Sequence, residues 1–209
     1  MTFSYQNIVM LATPEISSLC CGDFCRKPAG GSSVTKCGLC PLARSYSAVE
    51  QDMPAIWEVD ASDIPQPQRD LLAHNGDMTT KLEVFHGDHS HLLLLRSTTD
   101  GDIYQREVVL VLNSSGQHVE FGAITIHLDR LPPMLRRDII RAELPFGSLL
   151  HLHRFEFRSR PKSFIRVEPD AVISRALALE RPGLLYGRCN VLLTPSGEVL
   201  ADIVEILPL

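Results

Sequence analysis

The sequence predicts an α+β fold: a single antiparallel β-sheet flanked by helices. Apolar and β-branched runs bounded by turn residues, "LLLLRST", "IYQREVVLVLN" and "HVEFGAITIHL", read as strands. The turns between them, "DGD" and "SSGQ", are too short for a parallel crossover, so neighbouring strands run antiparallel. The helical patterns lie outside these strand runs, which separates the class from alternating α/β folds.

The elements follow in order. Residues 1–55 form a Cys-rich N-terminal extension with no sustained periodicity, and residues 56–209 form the sheet domain. "SDIPQPQRDLLAHNG" reads as a short helix stopped by Asn75-Gly76. "DMTTKLEVF" restarts a helix, with Asp77 as its cap and Thr80 with Glu83 in a capping-box spacing. "HGDHSH" is a polar turn before the strands. "PPMLRRDIIRAE" is a helix opened by proline, with apolar residues at helical spacing. "HLHRFEFRS" is expected to be a strand with His151 and His153 toward solvent, and two strands around "TPSG" close the sheet.

Composition bounds the function. The chain has 209 residues, 44% hydrophobic and 22% charged, which suits one soluble globular core. A net charge of −5 argues against a nucleic-acid partner, which needs a basic stripe. No run reaches membrane-spanning length, and the opening lacks a basic, apolar leader pattern, so a cytoplasmic protein is expected. The basic residues are 16 Arg against 4 Lys, and arginine forks suit carboxylate ligands.

Five of six cysteines fall in the extension. Cys21, Cys25, Cys37 and Cys40, with Cys20 as an alternative first member, have the spacing C-x3-C-x11-C-x2-C, close to that of a structural zinc site. The competing reading is a set of free thiols. The extension, tested as a deletion of residues 1–45, is expected to be dispensable for the core. His86, Asp88, His89 and His91, with His118 and His127 at a distance, invite a metal reading. No carboxylate completes it in "LLLLRS", so an exposed polar turn is the better account.

Two charged residues point with apolar sets. Period 2 places Glu205 with Val199, Ala201, Ile203 and Leu207, and Arg106 with Tyr104, Val108, Leu110 and Leu112. A buried charge must be paired, protonated or in use. An inward Arg and an inward Glu are either a buried ion pair or the two ends of a polar pocket.

"LLAHNGDMTTKLE", "YQREVVLVL", "IHLDRLPPMLRRDI", "LPFGSLL" and "LLYGRCNVLLTPSGEVLADIVEILP" occur in an order that resembles the chorismate pyruvate-lyase-like family over residues 68–209. The resemblance implies an antiparallel sheet with helical flaps over the ligand. It implies a carbon–oxygen lyase that converts chorismate, or a closely related acid, to 4-hydroxybenzoate and pyruvate without a metal or organic cofactor. It assigns Arg106 to carboxylate binding and Glu205 to the ring-hydroxyl end. Met78 and Thr79 would line the pocket, and Phe146 and Gly147 would cover it. Ala123 aligns with a second family Arg that this chain lacks. The alternative is a non-catalytic small-molecule-binding module, because the same fold serves as the effector domain of some transcription regulators.

Overall fold

The computed structural model describes residues 39–181 and 183–208. Seven strands form one sheet in the order β1-β5-β6-β7-β4-β3-β2, with every neighbouring pair antiparallel. Its strands are β1 (Ala55–Val59), β2 (Ser90–Asp100), β3 (Ile103–Leu112), β4 (His118–His127), β5 (Arg158–Glu168), β6 (Leu185–Leu193) and β7 (Val199–Leu207). Among the described residues six α-helices accompany them: α1 (Cys40–Ser47), α2 (Gln68–Leu72), α3 (Met78–His86), α4 (Pro133–Arg141), α5 (Phe146–Leu152) and α6 (Ala171–Ala176). None of the helices among the described residues is long and apolar enough to cross a membrane.

The central strands are apolar on both faces because both are covered. On one face Val109, Val111, Phe121, Ala123, Cys189 and Val204 pack against Leu42 and Tyr46 of α1 and Ile173 of α6. On the other, Ile124, Ile126 and Leu192 meet Leu135 and Ile139 of α4 and Phe146 and Leu149 of α5. Leu110 and Leu207 on that same face meet Leu71, Met78 and Leu82 of α2 and α3. Asp77 caps α3 as expected, accepting from the Thr80 N–H at 2.8 Å. Glu83 does not complete a capping box: it accepts from Ser90 and pairs with His89.

Two segments depart from the sequence expectation. "HLHRFEFRS" is not one strand. Its first half ends α5, with Pro145 before the helix and Phe146, Leu149 and Leu150 buried at helical spacing. Alternation over so short a run fits both periods. The folded unit also reaches back past residue 55. Leu42 and Tyr46 of α1 are buried in the core, and Tyr46 donates to Asp170 at 2.8 Å. Deleting residues 1–45 would therefore strip Leu39 and Leu42 from the sheet, so that segment is not dispensable.

One side chain ties the helices to the sheet. Arg188 on β6 has no exposed surface, and its Nε donates to Glu205, its register partner on β7. Its Nη1 donates to the carbonyls of Leu72 at 3.2 Å and His74 at 2.9 Å, and its Nη2 to Gly76 at 3.2 Å. A single guanidinium thus satisfies a buried carboxylate and three carbonyls of the α2–α3 connection. Gly187 lets the strands close at this point, because a Cβ there would run into the Glu205 carbonyl.

Two stability measurements follow, both by chemical denaturation of the full chain. Leu42→Ala should cost about 2–5 kcal/mol, as for other fully buried leucines; a change within the scatter of surface variants would place α1 outside the core. Arg188→Met should cost about 3–5 kcal/mol by leaving Glu205 buried and unpaired. Replacing both members, Arg188→Met with Glu205→Leu, should recover part of that loss. An equal loss in the double variant would show that the carbonyl contacts alone matter.

Candidate functional site

A pocket lies between the sheet and the N-terminal ends of α3 and α5. Its walls are Leu92, Val108, Leu110, Ile124, Leu192 and Ile203, and its polar groups are Asp77, Thr79, Arg106, Glu120, Asn190 and Glu205. The free volume is about 60 Å³, room for a few waters with the helices in this position.

The cover is a contact between two helix starts. Asp77, the cap of α3, holds the α3 N-terminus with one oxygen and pairs with His151 Nε2 of α5 at 3.0 Å with the other. Gly147 at the start of α5 allows this approach, since a Cβ there would stand 2.8 Å from Asp77 Oδ1. Burial pushes the Asp77 pKa up, but hydrogen bonds from the Thr80 N–H and His151 outweigh it and leave the carboxyl below its ordinary value. Behind the cover, burial and the Arg188 charge push His74 down to about 4. It is therefore neutral beside the buried guanidinium at neutral pH.

The sheet supplies two buried side chains, a guanidinium and a carboxyl, with atoms that have no hydrogen-bond partner among the described residues. Arg106 is 3% exposed, and its Nε and Nη1 are buried without a hydrogen-bond partner. Burial lowers its pKa, the mark of a cation held out of water. Glu120 is 5% exposed, and its Oε2 likewise has no partner. Burial, then the neighbouring charge of Glu205, hold its carboxyl well above the usual range. Glu205 itself is bonded to Arg188, and among the described residues no ion pair joins it to Arg106.

Of the residues expected at the site, Arg106, Glu205, Met78, Thr79, Phe146 and Gly147 line the pocket. Ala123 does not. It lies in register with Val204, fully buried on the opposite face, while its neighbours Gly122 and Ile124 open onto the pocket. A side chain at position 123 cannot reach a ligand there, because strand neighbours point to opposite faces. Cys20, Cys21, Cys25 and Cys37 lie outside the described residues, and Cys40 begins α1. Among the described residues no three metal-ligating side chains converge. His89 is paired with Glu83, His91 with Asn113 at 2.7 Å, and His118 with the Ala176 carbonyl. His151 and His153 end a helix rather than line a strand, and are paired with Asp77 and Asp138.

Sequence reasoning missed Arg188 and Glu120. The signal was present in both cases: period 2 sets Arg188 beside Asn190 and Leu192, and Glu120 beside Gly122, Ile124 and Ile126, the same pattern that singled out Arg106.

No family model matches the chain, and no curated protein matches it. Solved structures do. PhnF from Mycobacterium smegmatis matches with a TM-score of 0.51 and 14% identity, over 65% of this chain and 64% of that one. The chain thus spans slightly less than two thirds of full-length PhnF. The separate effector domain of PhnF matches with a TM-score of 0.51 and 15% identity, over 63% of this chain and 88% of that one. The ligand-binding domain of a regulator assigned to the GntR family, from Bordetella bronchiseptica, has a TM-score of 0.45 and 10% identity, over 57% of this chain and 85% of that one. The expected carbon–oxygen lyase is corrected on these grounds. The fold matches an effector domain, and the carboxylate assigned to the ring-hydroxyl end is already engaged by Arg188.

The cover should loosen in acid. The folded-state values of His74 and Asp77 both lie below their ordinary ones, so each contributes stability that is present above its unfolded value and lost as pH falls through the folded one. For His74 the loss runs from about 6.5 down to about 4, and Asp77 adds to it below the ordinary carboxylate value. Hydrogen exchange at residues 72–80, corrected for intrinsic rate, should quicken between pH 7 and pH 5, and His74→Gln should remove that change. Identical pH dependence in the variant would sink the assignment.

Proposed function

We propose that the chain is a non-catalytic small-molecule-binding module whose ligand carries a carboxylate, or a similar small anion, held by Arg106. The observation that carries this reading is the buried, unpartnered guanidinium facing a mostly apolar pocket. A desolvated cation without a counter-ion is costly, and a charge-assisted fork to an anion offsets that cost. The effector-domain fold supports the same reading. The ligand enters by parting the contact between α3 and α5, the only polar link of the cover being the Asp77–His151 pair among the described residues.

Isothermal titration of the full chain with small carboxylates, including 4-hydroxybenzoate and chorismate, tests this. At least one should bind saturably. Arg106→Ala should weaken binding by roughly tenfold to a hundredfold, the worth of a hydrogen bond to a charged group. Chorismate should be recovered unchanged after incubation. Binding that survives Arg106→Ala would overturn the assignment, and release of 4-hydroxybenzoate would overturn the non-catalytic reading.

A further inference from the structure

Arg106 and Glu120 lie on the same sheet face but not within reach of each other. Arg106 is in register with Ile124, and Glu120 stands four positions further along β4, which sets the two backbones about 13 Å apart at roughly 3.3 Å per residue. Between them the floor is Val108, Gly122 and Ile124, all apolar. The pocket is a slot with a buried cation at one end and a buried carboxyl at the other.

The charges of the slot do not balance locally. Glu205 is neutralised by Arg188, which leaves Glu120 as an unpartnered, protonated carboxyl at its end and Arg106 as the surplus cation at the other. The charged groups facing Glu120 are Glu205 on β7, Arg188 on β6 and Asp77 at the head of α3, and only Arg188 favours its ionised form. A ligand with one anionic end would repair Arg106 and leave Glu120 as it is.

Building on the anion-binding reading above, we infer that the pocket selects an amphoteric ligand, a short ω-amino acid with its carboxylate on Arg106 and its ammonium on Glu120. The methylene chain then lies along the apolar floor, which is what such a chain requires. With this ligand Arg106 gains a counter-ion, and the Glu120 carboxyl, whose Oε2 has no hydrogen-bond partner, gains a donor. Glu120 gives up its proton to solvent on binding, since a carboxyl beside a cation ionises.

The test is titration calorimetry of the full chain with γ-aminobutyrate, δ-aminovalerate and ε-aminocaproate, each against its deamino carboxylate. The best of the three should bind at least about tenfold more tightly than its own deamino analogue. Its binding heat should vary with the ionisation enthalpy of the buffer, reporting the released proton. Glu120→Gln, which keeps the shape, should abolish both the preference and the buffer dependence. Equal affinity for amino and deamino forms in the wild-type chain, which needs no variant to fold, would overturn the inference and leave the anion-binding reading standing. Absence of binding by every member of both series would overturn the two together.

Discussion

The Arg188–Glu205 pair is the interaction on which the rest of the site depends. It sits buried at the β6–β7 register, and the same guanidinium holds three carbonyls of the connection between α2 and α3. Breaking either partner would strand a charge in the interior, and the carbonyl bonds of the same guanidinium tie the α2–α3 connection to the sheet. That placement brings the start of α3 to the start of α5 and closes the pocket.

The pair also decides what the pocket can do. A carboxylate bound to a buried arginine is a poor candidate for proton transfer at a substrate. Glu205 therefore belongs to the frame, and the groups left for a ligand are Arg106 and Glu120. Both are buried on the sheet face with polar atoms that have no hydrogen-bond partner, and among the described residues no ion pair joins them. The electrostatics of the site come from this unequal treatment of four charged side chains on adjacent strands.

Much of this was legible in the sequence, and the failures have definite causes. Apolar runs between turn residues located β2, β3 and β4, and period 2 turned Arg106 and Glu205 inward. It did not say which inward arginine Glu205 would meet, because strand order cannot be read from facing alone, and β6 lies beside β7 while β3 does not. Glu120 obeyed the same rule as Arg106 but was masked by the polar start of its strand. Ala123 was assigned to the site through alignment to a family position, and one step along a strand reverses the face. Helix α1 was hidden by the cysteine-rich composition around it, although Leu42 and Tyr46 are four residues apart, one helical turn. In "LLHLHRFEF" the alternation concealed a helix end, and only tertiary packing of Leu149 and Leu150 settles the period.

The central claim is that Arg106 is open to a ligand anion while Arg188 is committed to the frame. Nitrogen-detected NMR of the arginine side chains, followed while valerate is added to the full chain, addresses it directly. The Arg106 guanidinium resonances should shift saturably while those of Arg188 stay in place. Movement of Arg188 with Arg106 unchanged would contradict it.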